Sequence, residues 1–178
     1  GEITNRWSFF NFLNDDGDKN ANADQLLIVN NILYVCLQDL ESNTFAATAP
    51  GLIGMIDLQT NEILGVIKLL GRNPMNFVTS SDGQRLFVAN MASFNTDISD
   101  FDLSPDFGGI EVINLNTRST QTFFHDNNLG GYVERVQVSD DELFALVSSF
   151  DPDSFQFYSE IVSLPLGNLN LANLETFI

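Results

Sequence analysis

The sequence predicts an all-β fold built from repeated four-stranded antiparallel sheets. Three segments share a pattern of four short apolar or alternating runs, separated by Asn, Asp, Gly or Ser, which is typical of strands and turns. Leu33, Leu86 and Leu143, each followed by an aromatic residue, lie at the same point of the second strand, 53 and 57 residues apart. A period of about 50 residues with four strands per unit is typical of β-propeller blades.

The turns of the repeat support the same interpretation. The hairpin before each second strand contains Asn31, Gly83 or Asp140, residue types that adopt positive φ more easily than others. We therefore expect the first and second strands of every unit to be joined by a tight hairpin.

The repeat predicts a single domain, 1–178, divided into blades at 24–70, 71–124 and 125–178, with 1–23 as the end of a preceding blade plus an acidic loop. Residues 3–13 are expected to supply the last strands of that preceding blade. Because propellers have about four to eight blades, we predict a partial or half propeller. The leading glycine in place of Met favours a fragment of a longer chain. Self-association of half-propellers is the alternative.

Composition excludes several classes of function. Seven basic against 24 acidic residues give a net charge of −17, so we expect no nucleic-acid partner. The chain contains no apolar run of about 18 residues, so no membrane span is predicted. One cysteine cannot form an intrachain disulfide, and the one histidine excludes multi-histidine zinc sites and schemes that need two imidazoles.

Residues 54–90 resemble a blade of the YVTN-type bacterial propellers, which are similar in appearance to the lactonase-like seven-bladed propellers. The residues that carry the resemblance are Ile56, Asp57, Thr60, Val66, Gly71, Pro74, Ser81, Asp82, Gly83, Leu86, Phe87, Val88, Ala89 and Asn90. The resemblance implies a propeller fold and an extracellular, periplasmic or cell-surface location. It also implies that a binding site lies on the face where the connections between blades open.

Long acidic and aromatic loops are predicted on that face, at residues 39–51, 91–108 and 150–159. The candidate ligand-binding residues on it are Asp97, Asp100, Asp102, Asp106, Phe101, Phe107, Asp151, Asp153, Arg72 and His125. One interpretation is that the carboxylates solvate the loops while the aromatic rings pack onto the blades. The other is that the face binds a cationic, sugar-like or aromatic ligand, or a protein or glycan partner, through aromatic anchors.

A candidate metal site precedes the first full blade. Its proposed ligands recur at every second residue, as Asp16, Asp18, Asn20, Asn22 and Asp24. The pattern resembles the first half of an EF-hand-like or dockerin-like loop, which favours Ca²⁺. Two features depart from that loop, because Ala21 replaces the glycine at its sixth position and Leu27 the glutamate at its twelfth. A solvated turn is therefore the alternative.

These observations favour an extracytoplasmic binding or scaffolding module of propeller type, stabilised by calcium. A catalytic propeller of the lactonase-like hydrolase class and a purely structural part of a larger propeller are the alternatives. No catalytic residue is predicted. His125 next to Asp126 could form a base and its orienting carboxylate, but adjacent residues on a strand point to opposite sides.

Overall fold

The computed structural model describes residues 2–13, 20–41, 44, 46–92, 107–151 and 153–168. Three antiparallel sheets follow one another along the chain, each a meander in which consecutive strands are hydrogen-bonded neighbours. The all-β, propeller-like fold class is thereby confirmed. Within these ranges no helix is long and apolar enough to cross a membrane.

The strands occupy the predicted runs. The first sheet contains β1 (Ala23–Val29), β2 (Ile32–Leu37), β3 (Leu52–Asp57) and β4 (Glu62–Lys68). The second contains β5 (Pro74–Thr79), β6 (Arg85–Asn90), β7 (Gly109–Asn114) and β8 (Thr120–His125), and is followed by a single helical turn, α1 (Asp126–Leu129). The third contains β9 (Tyr132–Ser139), β10 (Glu142–Asp151) and β11 (Gln156–Pro165).

The predicted hairpins between first and second strands are present, with positive φ at Asn31, Gly83 and Asp140. The strand expected at residues 174–178, as the fourth of the last unit, lies outside the described residues. The division of the chain at 24–70, 71–124 and 125–178 stays a prediction.

The core lies between the sheets. In β6, Leu86 and Val88 pack against the first sheet, whereas Phe87 and Ala89 pack against the third. All four side chains are fully buried, because alternate residues of a strand point to opposite faces and both faces are covered. A strand buried on both sides is a continuous apolar run, as in residues 86–89 of β6.

Amide side chains join the first strands of neighbouring sheets. The Gln25 Oε1 atom accepts a hydrogen bond of 2.9 Å from the backbone N–H of Phe77, and the Asn76 Oδ1 atom accepts one of 2.7 Å from that of Val136. The Asn76 amide also donates to Gln25 over 2.8 Å. Because these bonds require fixed positions along two strands, they set how β1, β5 and β9 lie beside one another.

The expectation of strands over residues 3–13 is wrong. The segment contains a single 3₁₀ turn at Phe10–Phe12, and Phe9 is buried against the outer face of the first sheet. The apolar side chain of Phe9 packs on the sheet face instead of in a strand, and Gly54 leaves the space for its ring, because a Cβ atom there would lie 2.5 Å from it. The segment is further held by the Trp7 indole, which donates to the carbonyl of Asn61 over 3.0 Å.

Replacing Phe9 by Ala should destabilise the fold by about 3 kcal/mol, since a buried ring would leave a cavity over Gly54. The measurement is urea unfolding followed by circular dichroism. Phe10→Ala is the matched control, because Phe10 is exposed. A Phe9→Ala variant no less stable than the Phe10→Ala variant would contradict this packing of the N-terminal segment.

Candidate ligand-binding face

The connections β2–β3, β4–β5, β6–β7, β8–β9 and β10–β11 all turn at the same end of the sheets, which we call the loop face. Three of them meet at Arg72. Its backbone N–H donates to the carbonyl of Phe107 over 2.9 Å, and its guanidinium Nη1 donates to the carbonyl of Ala47 over 3.3 Å. Loops of two different sheets are therefore joined at one residue.

The connection that carries Arg72 is held from below by Glu111. This glutamate lies in the middle of β7 and is buried. Its carboxylate accepts the backbone N–H of Leu70 at 2.9 and 3.1 Å, that of Gly71 at 3.1 Å and the side-chain amide of Asn90 at 3.1 Å. A carboxylate of the second sheet thus accepts the backbone N–H groups of Leu70 and Gly71, which lie in the connection that follows the first sheet and have no strand partner there.

The electrostatics of Glu111 result from two opposed effects. Burial raises the pKa of its carboxyl, because a charge loses its hydration in the core. The hydrogen bonds from Leu70, Gly71 and Asn90 favour the charged form and oppose that rise. Burial is the larger effect, so the pKa of Glu111 lies above the ordinary glutamate value in the folded protein.

Arg72 and Phe107, two predicted site residues, are in direct contact. The guanidinium carbon lies 3.6 Å from the centroid of the Phe107 ring, which is a cation–π geometry. The Nε atom of Arg72 is buried and has no hydrogen-bond partner within the described ranges. Arg72 and Phe107 thus place a positive charge beside an aromatic ring on the loop face of a strongly acidic protein.

His125 and Asp126 lie in opposite environments. His125, the last residue of β8, is exposed, whereas Asp126 is completely buried at the start of α1. Burial raises the pKa of the Asp126 carboxyl, opposed by the backbone N–H of Asn127, which donates to Oδ1 over 2.8 Å. The geometry does not make Asp126 a partner that orients the His125 ring.

A cavity of about 10 Å³ lies beneath Phe107 and His125, with Glu111 and Asn90 in its wall. Such a volume corresponds to about one water molecule. This cavity is therefore too small for a ligand larger than a water molecule.

The last predicted loop, 150–159, is mostly strand and not loop, because β10 and β11 pair continuously up to Asp151 and Gln156. The Asp151 carboxylate accepts hydrogen bonds from the N–H of Asp153 at 2.9 Å and the hydroxyl of Ser154 at 2.6 Å. The hydroxyl bond lowers the pKa of Asp151. The hydrogen bonds of these acids thus stay within their own hairpin.

The remaining predicted residues of the face, Asp97, Asp100, Asp102, Asp106 and Phe101, lie outside the described residues. Their part in ligand binding stays a prediction.

The candidate calcium loop is described only in part, since Asp16 and Asp18 lie outside the described ranges. The side-chain oxygen of Asn20 accepts the N–H of Asn22 at 3.1 Å, and that of Asn22 accepts the N–H of Leu40 at 3.0 Å. Asp24 is the second residue of β1 and is exposed. In the described part of the chain, no three His, Cys, Asp or Glu side chains are grouped to hold a metal ion. Calcium binding stays a prediction.

The backbone of Asn22 also has a structural role that the sequence analysis missed. Asn22 and Asn73 both have positive φ, 46° and 50°, and both accept a backbone bond from the end of the second strand of their sheet. The donors are the N–H groups of Gln38, at 3.3 Å, and Met91, at 3.0 Å. Asn22 is therefore part of a turn that recurs before β1 and β5.

Glu111 was not singled out from the sequence, and Asn90 was named only as part of the resemblance to the YVTN-type propellers. The indication was available, because Glu111 is the single charge in the otherwise apolar run Gly109–Asn114. A charge inside a strand buried on both faces needs partners, and those partners are backbone groups that only the fold brings near.

The contribution of Glu111 to stability should fall as the pH rises. Because its folded-state pKa is raised, this contribution is complete below the ordinary glutamate value and is lost as the pH rises through the raised value. The unfolding free energy of the parent minus that of Glu111→Gln should therefore decrease between pH 4.5 and 8, in urea titrations at several pH values. Glu62→Gln, which removes an exposed carboxyl, is the matched control. A difference for Glu111 that grew with pH would contradict the assigned direction.

The contact between Arg72 and Phe107 should appear in a double-mutant cycle. Arg72→Ala and Phe107→Leu should couple by about 0.5–1 kcal/mol, the range for a partly exposed cation–π pair. Urea unfolding of the parent, the two single variants and the double variant gives this energy. The same cycle with Arg85, at the opposite end of the second sheet, should give a value near zero. Strict additivity at Arg72 would show that the stacking contributes nothing.

The comparisons with known proteins concern the fold. No family model and no curated protein matches the chain. A candidate conserved lipoprotein from Clostridium novyi NT is similar in structure, with a TM-score of 0.56 and 14% identity over 85% of this chain and 91% of that one. At this identity the likeness shows a shared fold alone.

Two propeller domains are also similar. That of Cps50 (Swd1) from Myceliophteria thermophila has a TM-score of 0.46 and 11% identity, over 82% of this chain and 38% of its own. That of the Trilobed protease from Pyrococcus furiosus has a TM-score of 0.40 and 13% identity, over 80% and 43%. Both scores are too low to support an argument about function or blade number. The fold assignment rests on the three stacked antiparallel sheets.

Proposed function

We propose that this chain is a binding or scaffolding module of propeller type that acts outside the cytoplasm and binds a positively charged protein partner on its loop face. The observation that carries the proposal is the meeting of connections from the first two sheets at Arg72, above the buried Glu111. Loops that a rigid scaffold holds at one end are where binding residues concentrate.

Charge indicates the chemistry of the partner. The chain has 24 acidic and seven basic residues. Within the described ranges only one ion pair is present, between Arg85 and Asp82 at 3.8 Å. The negative field is therefore largely unneutralised, and such a field attracts cations and raises the rate of association with basic proteins. The loop predicted at 91–108 contains four aspartates, which we expect on the face that carries Arg72.

Two resemblances support a location outside the cytoplasm. The structure with the TM-score of 0.56 is that of a candidate lipoprotein. Residues 54–90 resemble the YVTN-type propellers, a family often found at the cell surface. The proposal follows these resemblances for the location and the loop face for the binding.

The test is binding of a fluorescent oligolysine peptide, measured by anisotropy at low and at physiological ionic strength. The variant replaces Asp97, Asp100, Asp102 and Asp106 by Asn. We expect about tenfold weaker binding at low salt, which corresponds to about 0.35 kcal/mol for each charge and lies within the range of exposed ion pairs.

The matched control removes four exposed acids at the opposite end of the sheets, through Glu62→Gln, Asp140→Asn, Asp141→Asn and Glu142→Gln. Its net charge changes equally, so only position differs. Equal weakening by the two variants would mean that net charge alone binds the peptide, and the loop-face proposal would fail.

A further inference from the structure

The strand register identifies equivalent positions in the three sheets. Ile53, Ile110 and Ile161 lie opposite Cys36, Ala89 and Leu146, which are themselves equivalent residues of the second strands. Ile53 and Ile110 are 0% and 1% exposed, because the next sheet covers them, whereas Ile161 is 76% exposed. In the first two sheets this position is buried against the next sheet. In the third sheet the same position, Ile161, is exposed.

The other end of the stack shows the complementary feature. Phe77 in β5 and Val136 in β9 occupy equivalent positions. Both pack on the preceding sheet and are 2% and 4% exposed. The equivalent residue of β1 is Leu26, which is 61% exposed. Ile28, two residues further along the same face, is exposed as well. The first sheet thus leaves uncovered the inner-strand positions that the second and third sheets bury.

The two open surfaces correspond in position to the two halves of an internal junction. A groove of about 340 Å³ lies on the far face of the third sheet, with Phe144, Leu146, Ile161 and Arg135 in its wall. At the internal junctions, β5 and β9 occupy the corresponding place on the preceding sheet. The N-terminal segment covers part of the outer face of the first sheet, because Phe9 packs on β2 and β3, around Val35 and Leu52. The part of the first sheet that stays open to a second copy is β1, with Leu26 and Ile28 exposed.

We propose that the far face of the third sheet binds β1 of a second copy of this chain, and that two such junctions close a two-fold symmetric ring of six sheets. Six lies within the range of known propellers. Each copy carries both halves of the junction, so two copies can cover all four open surfaces. The charges are also opposite in sign, since β1 carries the exposed Asp24 and β9 the exposed Arg135, whose Nη1 atom donates to the Met75 carbonyl of its own chain over 2.8 Å. This proposal does not depend on the proposed binding role of the loop face.

The test is the mass of the full chain in solution, by light scattering over a range of concentrations. We expect twice the mass of the 19.8 kDa chain. Ile161→Asp and Leu26→Asp should each raise the dissociation constant by about a hundredfold or more, because each places a charge in an apolar junction. Leu64→Asp, on β4 at the outer edge of the first sheet, is the matched control and should stay dimeric. Circular dichroism checks that every variant is folded.

Mixing the two variants distinguishes the head-to-tail arrangement from others. An Ile161→Asp chain keeps an intact β1 surface, and a Leu26→Asp chain keeps an intact third sheet, so one native junction can form between them. The mixture should therefore contain a heterodimer that neither variant forms as a homodimer.

Two results would overturn the proposal. A parent chain that is monomeric at all concentrations would assign the open faces to another occupant, such as a further sheet of a longer protein. A Leu26→Asp variant that stayed dimeric while Ile161→Asp dissociated would indicate a contact between two third sheets and not the ring.

Discussion

The buried carboxylate of Glu111 is the constraint on which the loop face depends. It satisfies the backbone donors of Leu70 and Gly71 and so fixes the short connection that leads from the first sheet into the second. An unpaired carboxylate at that depth would cost several kcal/mol, and so would unpaired backbone donors, so each partner requires the other. Arg72 follows directly, and its position over Phe107 is a consequence of this anchor.

The three sheets pack on one another in the same way. The second sheet presents one apolar face to the first sheet and another to the third, and an amide of β1 and one of β5 are each bonded to the first strand of the next sheet. In an array of such sheets, the first and the last sheet each have an apolar face without a neighbouring sheet, and these faces need a cover. The N-terminal segment supplies part of that cover through Phe9, whereas Leu26 and Ile161 keep the exposure of unfinished junctions.

The predicted and observed sites overlap in an instructive way. Arg72, Phe107 and His125 were chosen as residues of connections and loops predicted to open on one face, and the structure places Arg72 on Phe107 and His125 beside the same small cavity. Asp151 and Asp153 were chosen on the same basis, but their hydrogen bonds serve a tight hairpin, because β10 and β11 extend further than their alternating residues indicated. Side-chain type located the loop face; it did not reveal which polar groups are used by the backbone itself.

The sequence by itself determined the strands, the hairpins and the repeat, because apolar periodicity and turn residues act over a few neighbouring positions. The fold class and the burial of Leu86–Ala89 on both faces follow from such local patterns. Only the tertiary structure decided that the Phe9 ring packs over Gly54. It also decided that Glu111 accepts backbone hydrogen bonds from a connection about 40 residues away. Both depend on the space and the unpaired donors that one sheet presents to another, and these exist only once the sheets are stacked.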